Sequence, residues 1–264
     1  MKKESVKESA DRLPVLETRK LGITFGGLKA VSDFSLKIYE GELVGLIGPN
    51  GAGKTTVFNM LTGVYEPTEG SVLLNGQLLN GKKTHQFVEA GVARTFQNIR
   101  LFHDMSVLDN VKAAFTKDIS YGLVAATLRT KAFRETEEKI TEKAVDLLKI
   151  FHLEDKQDWM ASNLPYGQQR KLEIARALAT DMKVLLLDEP AAGMNPTETE
   201  DLMNCINTIR DRFGIAILLI EHDMSLVMNV CERIKVIDYG KTIAEGLPEE
   251  IASNPQVIAA YLGA

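Results

Sequence analysis

Gly48-Pro49-Asn50-Gly51-Ala52-Gly53-Lys54-Thr55 follows the apolar run Leu43-Val44-Gly45-Leu46-Ile47 and opens a segment in which Val57, Met60 and Leu61 recur at helical spacing. The order is strand, glycine-rich loop, helix, and the eight residues fit the spacing of a phosphate-binding loop. Glycine lets the backbone curl so that successive N–H groups face one point, and the helix N-terminus adds its positive field there. Lys54 is then the point charge for the β and γ phosphates of a nucleotide, and the Thr55 hydroxyl is a candidate Mg²⁺ ligand. The candidate nucleotide contacts in this loop are Gly48, Pro49, Asn50, Gly51, Ala52, Gly53, Lys54, Thr55 and Thr56. The pattern predicts a helix from Lys54 to about Leu61, stopped by Gly63.

Upstream, Phe34, Leu36 and Ile38 alternate with polar residues and stop at Glu40-Gly41, so a strand precedes the loop strand across a turn. Downstream, residues 71–79 alternate around Asn75-Gly76, the dipeptide suited to the positive φ angles of a tight hairpin. From about 106 to 157 the chain reads almost wholly helical. Ser106 caps one helix with Asp109 three residues on, and Phe133, Ile140, Ala144, Leu147 and Phe151 recur at helical spacing among Glu and Lys. Such a charged helix belongs on the surface. Residues 184–187 and 215–220 are apolar throughout, as parallel strands covered on both faces require. Between them, Thr197-Glu198-Thr199-Glu200 reads as a capping box for a helix with Leu202, Ile206, Ile209 and Phe213 on one side. A further helix is expected over 169–179. The expected fold is α/β: a P-loop core with a parallel sheet, an N-terminal antiparallel β portion, and a helical subdomain inserted at about 106–180. Residues 1–14 read as a flexible start and 15–264 as a single domain.

With 264 residues, 45% of them hydrophobic, the chain can bury a sizeable core. Its formal charge of −5 leaves no global basic surface for duplex nucleic acid, so no nucleic-acid partner is expected. Cys205 and Cys231 lack metal-site spacing and read as small buried hydrophobes. Residues 1–11 carry no apolar core of a signal peptide. The apolar run at 215–220 is far too short to cross a bilayer of about 30 Å. A membrane role must therefore come through partners.

The run Val184-Leu185-Leu186-Leu187-Asp188-Glu189 ends a buried strand in two carboxylates, at the edge where α/β sheets place ligands. Adjacent strand residues point to opposite sides, so Asp188 can face Mg²⁺ while Glu189 polarises an attacking water. His222 and Gln97 are unremarkable singly, and only their order after the phosphate loop marks them.

Taken together, these segments resemble the ATPase subunits of ABC transporters over residues 16–262. Gly48 to Thr55 matches the Walker A motif and 184–189 the Walker B. Gln97, in Thr95-Phe96-Gln97-Asn98, matches the Q-loop glutamine, and His222 matches the switch histidine. The resemblance implies that Glu189 is the general base, that His222 contacts the γ phosphate, and that Gln97 takes part in catalysis and in the metal shell with Thr55 and Asp188. It also implies that Phe25 stacks on adenine. Leu164-Pro165-Tyr166-Gly167-Gln168 stands in place of the signature Leu-Ser-Gly-Gly-Gln, with the backbone donors of Tyr166, Gly167 and Gln168 remaining for the nucleotide. Pro165 removes a serine hydroxyl, and Asn195 stands where the D-loop usually carries aspartate.

The wording of the signature and of Glu189-Pro190-Ala191-Ala192-Gly193-Met194-Asn195-Pro196 is similar to the branched-chain amino acid importer ATPases of LivG type. This implies Mg-ATP hydrolysis coupled to transport and two ATPase subunits, identical or related, that sandwich two ATP molecules. It implies integral-membrane permease partners, an external solute-binding protein acting indirectly, and a peripheral place on the cytoplasmic face of the plasma membrane. The alternatives are transport of another polar solute, lipopolysaccharide export, or a soluble non-transport ABC ATPase.

Overall fold

The computed structural model describes residues 12–262, so positions 1–11 of the expected flexible start lie outside the described residues. In chain order the elements are β1 (Leu16–Phe25), β2 (Leu28–Ile38), β3 (Leu43–Ile47), α1 (Lys54–Leu61), β4 (Glu69–Leu74), β5 (Gln77–Leu78), α2 (Thr84–Ala90) and β6 (Val92–Arg94). Then come α3 (Val107–Lys112), α4 (Leu123–Thr127), α5 (Lys131–Ile150) and α6 (Tyr166–Leu178). The chain continues with β7 (Val184–Asp188), α7 (Pro196–Phe213), β8 (Ala216–Ile220), α8 (Met224–Val230), β9 (Arg233–Asp238), β10 (Lys241–Gly246), α9 (Pro248–Ala252) and α10 (Pro255–Leu262).

Two sheets form. One is antiparallel in the order β2-β1-β4-β5, and the other has the order β10-β9-β3-β8-β7-β6. In the larger sheet β3 runs parallel to β8 and β9, and β7 to β6 and β8; only β10 is antiparallel to its neighbour. The turn at Glu40-Gly41 therefore hands the chain from one sheet to the other. Gly41, at φ 72°, donates to the Gly214 carbonyl across that junction at 3.1 Å. Asn75 and Gly76, at φ 48° and 77°, make the expected tight turn between β4 and β5.

Side chains alternate along the strands, and the alternation divides the core into two layers. Val44, Leu46, Val184, Leu186, Ala216 and Leu218 pack with the antiparallel sheet and α1. Leu43, Ile47, Leu185, Leu187, Ile217 and Leu219 pack with the helices on the opposite side. The inserted helical lobe joins that second layer: Val107, Val111, Ile140, Ala144, Leu147, Phe151 and Leu172 belong to the same cluster as Leu185. The lobe is less helical than expected, with single 3₁₀ turns at Thr116–Asp118, Glu154–Lys156 and Ala161–Asn163. Within α5, Phe133 leaves the expected stripe and sets its ring edge against Tyr121, 4.8 Å between centroids.

Three local features differ from the sequence reading. The helix expected at 169 begins at Tyr166, because Pro165, with φ −54° and ψ 152°, suits the position before the first turn and has no N–H to lose. Its carbonyl accepts from the Gln168 and Gln169 N–H groups at 2.9 and 3.0 Å. The capping box of α7 is likewise not the one at Thr197. Asn195 Oδ1 accepts from Glu198 N–H and Glu198 Oε2 accepts from Asn195 N–H, both at 3.0 Å, with Pro196 at the first helical position. At the other end, Phe213 is exposed, since Gly214 in the left-handed conformation (φ 63°) ends the helix directly behind it.

Cys205 and Cys231 are buried and unpaired, and burial pushes both thiols above their ordinary pKa. The cap assignment is testable by urea unfolding. Asn195→Ala removes the cap and is expected to cost about 0.5–2 kcal/mol, whereas Thr197→Ala, inside the first turn, changes stability by less than about 0.5 kcal/mol. Equal losses would return the cap to Thr197.

Candidate functional site

The loop after β3 is closed by close backbone approaches. Gly48 (φ 155°), Gly51 (φ 79°) and Gly53 (φ 105°) carry the curled backbone. A Cβ on Gly48 would run into the Ile237 carbonyl of β9, and one on Gly53 would lie 3.2 Å from the Ala30 carbonyl of β2. The loop is thus wedged between strands of both sheets. Gly53 sits before α1 without a side-chain cap, which leaves the first-turn N–H groups facing the loop. Lys54 is buried and spans the loop, donating from Nζ to the Gly48 and Pro49 carbonyls at 2.6 and 2.9 Å. Burial lowers its pKa, while the charges of Glu189 and Asp188 oppose that change. The phosphate loop and the acidic pair therefore share one electrostatic site. Thr55 is exposed and Thr56 half-buried beside it.

At the end of β7 the two carboxylates take different partners. Asp188 is buried and its Oδ2 accepts from Arg94 Nη2 at 2.7 Å; Arg94 Nη1 in turn donates to Asn59 Oδ1 at 2.7 Å. The same guanidinium lies over the rings of Phe58 and Phe96, at 5.4 and 5.1 Å from their centroids. Glu189, the first residue past the strand, has a left-handed backbone (φ 49°). Its Oε1 lies 2.6 Å from His222 Nε2 and its Oε2 accepts from Gln97 Nε2 at 3.2 Å. Glu189, His222 and Gln97, far apart in the chain, meet around one carboxylate.

The loop that carries Gln97 is held from below. Arg170 of α6 is fully buried, donates to the Phe96 carbonyl at 2.5 Å and to the Gln97 carbonyl, and pairs with Glu173 at 3.1 Å. Glu173 also accepts from Arg100 N–H at 3.2 Å. This ties the loop to the helix that begins at Tyr166.

Tyr166, Gly167 and Gln168 occupy the first turn of α6. Among the described residues none of them hydrogen-bonds to residues 48–56. Tyr166 is exposed and its hydroxyl accepts from Arg170 Nη2 at 3.2 Å. Gln168 departs from expectation: its N–H is already used by Pro165, and its side chain accepts from Lys156 Nζ at 2.7 Å. Asn195, read as a D-loop position, spends its side chain on the cap of α7.

Phe25 ends β1, is 43% exposed, and sets its edge against Tyr65 at 5.2 Å. The hairpin it belongs to continues into Ala30, the residue that bounds Gly53. An open aromatic face thus lies on the strand pair that flanks the phosphate loop.

Arg94, Arg170 and Glu221 were missed from the sequence. Each is a charged residue at a strand end or on a helix, where a solvated face is the ordinary reading. Only its burial distinguishes it.

The family model described as ABC transporter matches residues 31–192, and a second, described as Branched-chain amino acid ATP-binding cassette transporter, matches residues 241–264. The high-affinity branched-chain amino acid transport ATP-binding protein LivG of Escherichia coli K12 is 48% identical over 250 residues, covering 95% of this chain and 98% of LivG. The corresponding protein BraF of Pseudomonas aeruginosa is 47% identical over 250 residues, with the same coverage of both chains. The crystal structure of the ADP conformation of MJ1267, an ATP-binding cassette of an ABC transporter, superposes with a TM-score of 0.82 at 31% identity, covering 96% of this chain and all of that one. A match over more than half the chain, with relatives this similar along nearly its whole length, shows that the chain belongs to the ABC transporter family, among its ATP-binding subunits.

Proposed function

We propose that this chain is the ATPase of an importer for branched-chain amino acids, and that Glu189 is the general base of its hydrolytic step. Family membership makes it an ATP-hydrolysing subunit. The likeness to LivG and BraF along the full chain supports the solute class. The observation that carries the catalytic reading is the grip on Glu189 by His222 and Gln97.

A carboxylate offers about four lone-pair positions, of which His222 and Gln97 engage two. The remaining positions can accept the proton of a water attacking the γ phosphate. His222 and Gln97 meanwhile fix where that proton goes, so orientation is set before the reaction begins. Lys54 supplies positive charge at the β and γ phosphates, and the open first turn of α1 adds backbone donors.

The donor set also fits magnesium. Asp188 has Oδ2 on Arg94 and no hydrogen-bond partner at Oδ1 among the described residues. The Thr55 hydroxyl and the Gln97 amide oxygen complete a set of hard oxygen donors, such as Mg²⁺ takes alongside phosphate and water. Bound there, the ion would neutralise charge on the phosphates. Arg94 holds Asp188 in place without using both its oxygens. Phe25 would stack on adenine, and the Tyr166 and Gly167 N–H donors at the start of α6 would serve the nucleotide of a second ATPase subunit. Permease subunits would dock beside the Gln97 loop and the helical lobe, and an external binding protein would deliver the solute. In the described residues no helix is long and apolar enough to cross a membrane, so the permease pair would supply the path.

Two mutational series test this reading. Glu189→Gln is expected to bind Mg-ATP normally but to hydrolyse it about 10² to 10⁴ times more slowly, whereas Lys54→Ala loses ATP affinity itself. Single-turnover and equilibrium binding measurements separate the two, and normal turnover in Glu189→Gln would remove the base from Glu189. Phe25→Ala should weaken ATP binding by about 1–3 kcal/mol. Unchanged affinity would leave Phe25 as a packing partner of Tyr65. For the solute class, the decisive measurement is leucine uptake by proteoliposomes holding this ATPase with its permease.

A further inference from the structure

Glu221 lies between the end of β8 and His222, yet it is only 5% exposed. Among the described residues no lysine or arginine pairs with it. Burying a carboxylate without a cation is expensive unless its oxygens are hydrogen-bonded. Here both are: Oε1 accepts from Ala191 N–H at 2.9 Å and Oε2 from His222 N–H at 3.2 Å. These two donors belong to different loops. Ala191 sits two residues after Glu189, and His222 is the group that holds Glu189 at 2.6 Å.

The backbone explains why such a clamp matters. Glu189 has φ 49°, a conformation that side chains other than glycine adopt at a cost. The turn is fixed before and after that point. Glu189 N–H donates to the Ile220 carbonyl at 2.9 Å, and Ala192 N–H donates to the Glu189 carbonyl at 3.2 Å. Ala191 N–H falls between them, and its partner is Glu221. Removing that acceptor would free the left-handed turn to relax, and it would free the His222 backbone at the same time.

We propose that Glu221 is a positioning residue for ATP hydrolysis: one buried carboxylate fixes the spacing between the loop of Glu189 and the loop of His222. Its two side-chain hydrogen bonds go to the backbone of these loops, and it acts through them. This rests on the assignment of Glu189 and His222 to the hydrolytic site. Burial raises the pKa of Glu221 and the two N–H donors oppose that shift, as expected where hydrogen bonds offset lost hydration.

Glu221→Gln is the informative change, because its NH₂ must face one of two N–H donors and leaves it unpaired. Turnover should fall by about 5- to 100-fold, with KM for ATP within about twofold of the parent. In the double variant with His222→Ala the combined loss should be smaller than the product of the two single losses, because both act on one unit. Parental kcat, a rise in KM that accounts for the loss, or fully multiplicative losses would overturn the proposal. Glu189→Gln measured alongside separates the two levels. If it keeps turnover, the site assignment fails; if it loses turnover while Glu221→Gln is fully active, only the role of Glu221 fails. Should Glu221→Gln not fold, amide exchange in the parent protein decides. Slow exchange of both Ala191 and His222 upholds the clamp, and fast exchange of either overturns it.

Discussion

A parallel sheet carries unsatisfied apolar surface on both faces, and everything in this chain follows from covering it. β3, β7 and β8 are buried at every residue. One face takes the antiparallel sheet with α1, the other the helices and the inserted lobe. Once both faces are closed, the edge where the strands end is left for a site. The phosphate loop leaves β3 there, the acidic pair leaves β7 and His222 follows β8. The site is an outcome of how the sheet is covered.

Electrostatics then decides how that edge is organised. Lys54, Asp188, Arg94, Arg170, Glu173 and Glu221 are buried or nearly so, in a place where isolated charges are costly. Each is matched by a partner whose position it thereby fixes. Arg94 pairs with Asp188 and binds Asn59 on α1, which joins the end of β7 to the helix of the phosphate loop. Arg170 joins the Gln97 loop to α6. Buried ion pairs contribute little net stability on average, but losing one partner is severe. Their value here is spatial: they hold chain segments of distant sequence in one register.

The same view explains the departures at Pro165 and Asn195. Pro165 gives up a side-chain hydroxyl but fits the backbone angles before a helix, and its carbonyl closes the first turn. Asn195 is a strong helix cap, so its identity is accounted for within the chain before any contact with another subunit is invoked.

Local chemistry made much of this legible from the amino-acid sequence. Glycines at Gly48, Gly51 and Gly53 permit the curled loop, unbroken apolar runs mark the buried strands, and Asn75-Gly76 marks the hairpin. The acidic pair at Asp188 and Glu189 was readable as the end of an apolar run, but Glu189 lies past the strand in a left-handed conformation that alternation does not foresee. Helix starts differ from the sequence reading where proline stands just before or within the first turn: Pro165 and Pro196 decided the outcome through their fixed φ, which a count of capping residues ignores. Tertiary structure alone decided the rest. Arg94, Arg170 and Glu221 look like ordinary surface charges in the sequence, and nothing local reveals that they are enclosed. Their partners lie 94, 74 and 30 residues away. Burial and pairing at such separations belong to the packed chain, because the free energy of a charge depends on what surrounds it in space rather than on its neighbours in sequence.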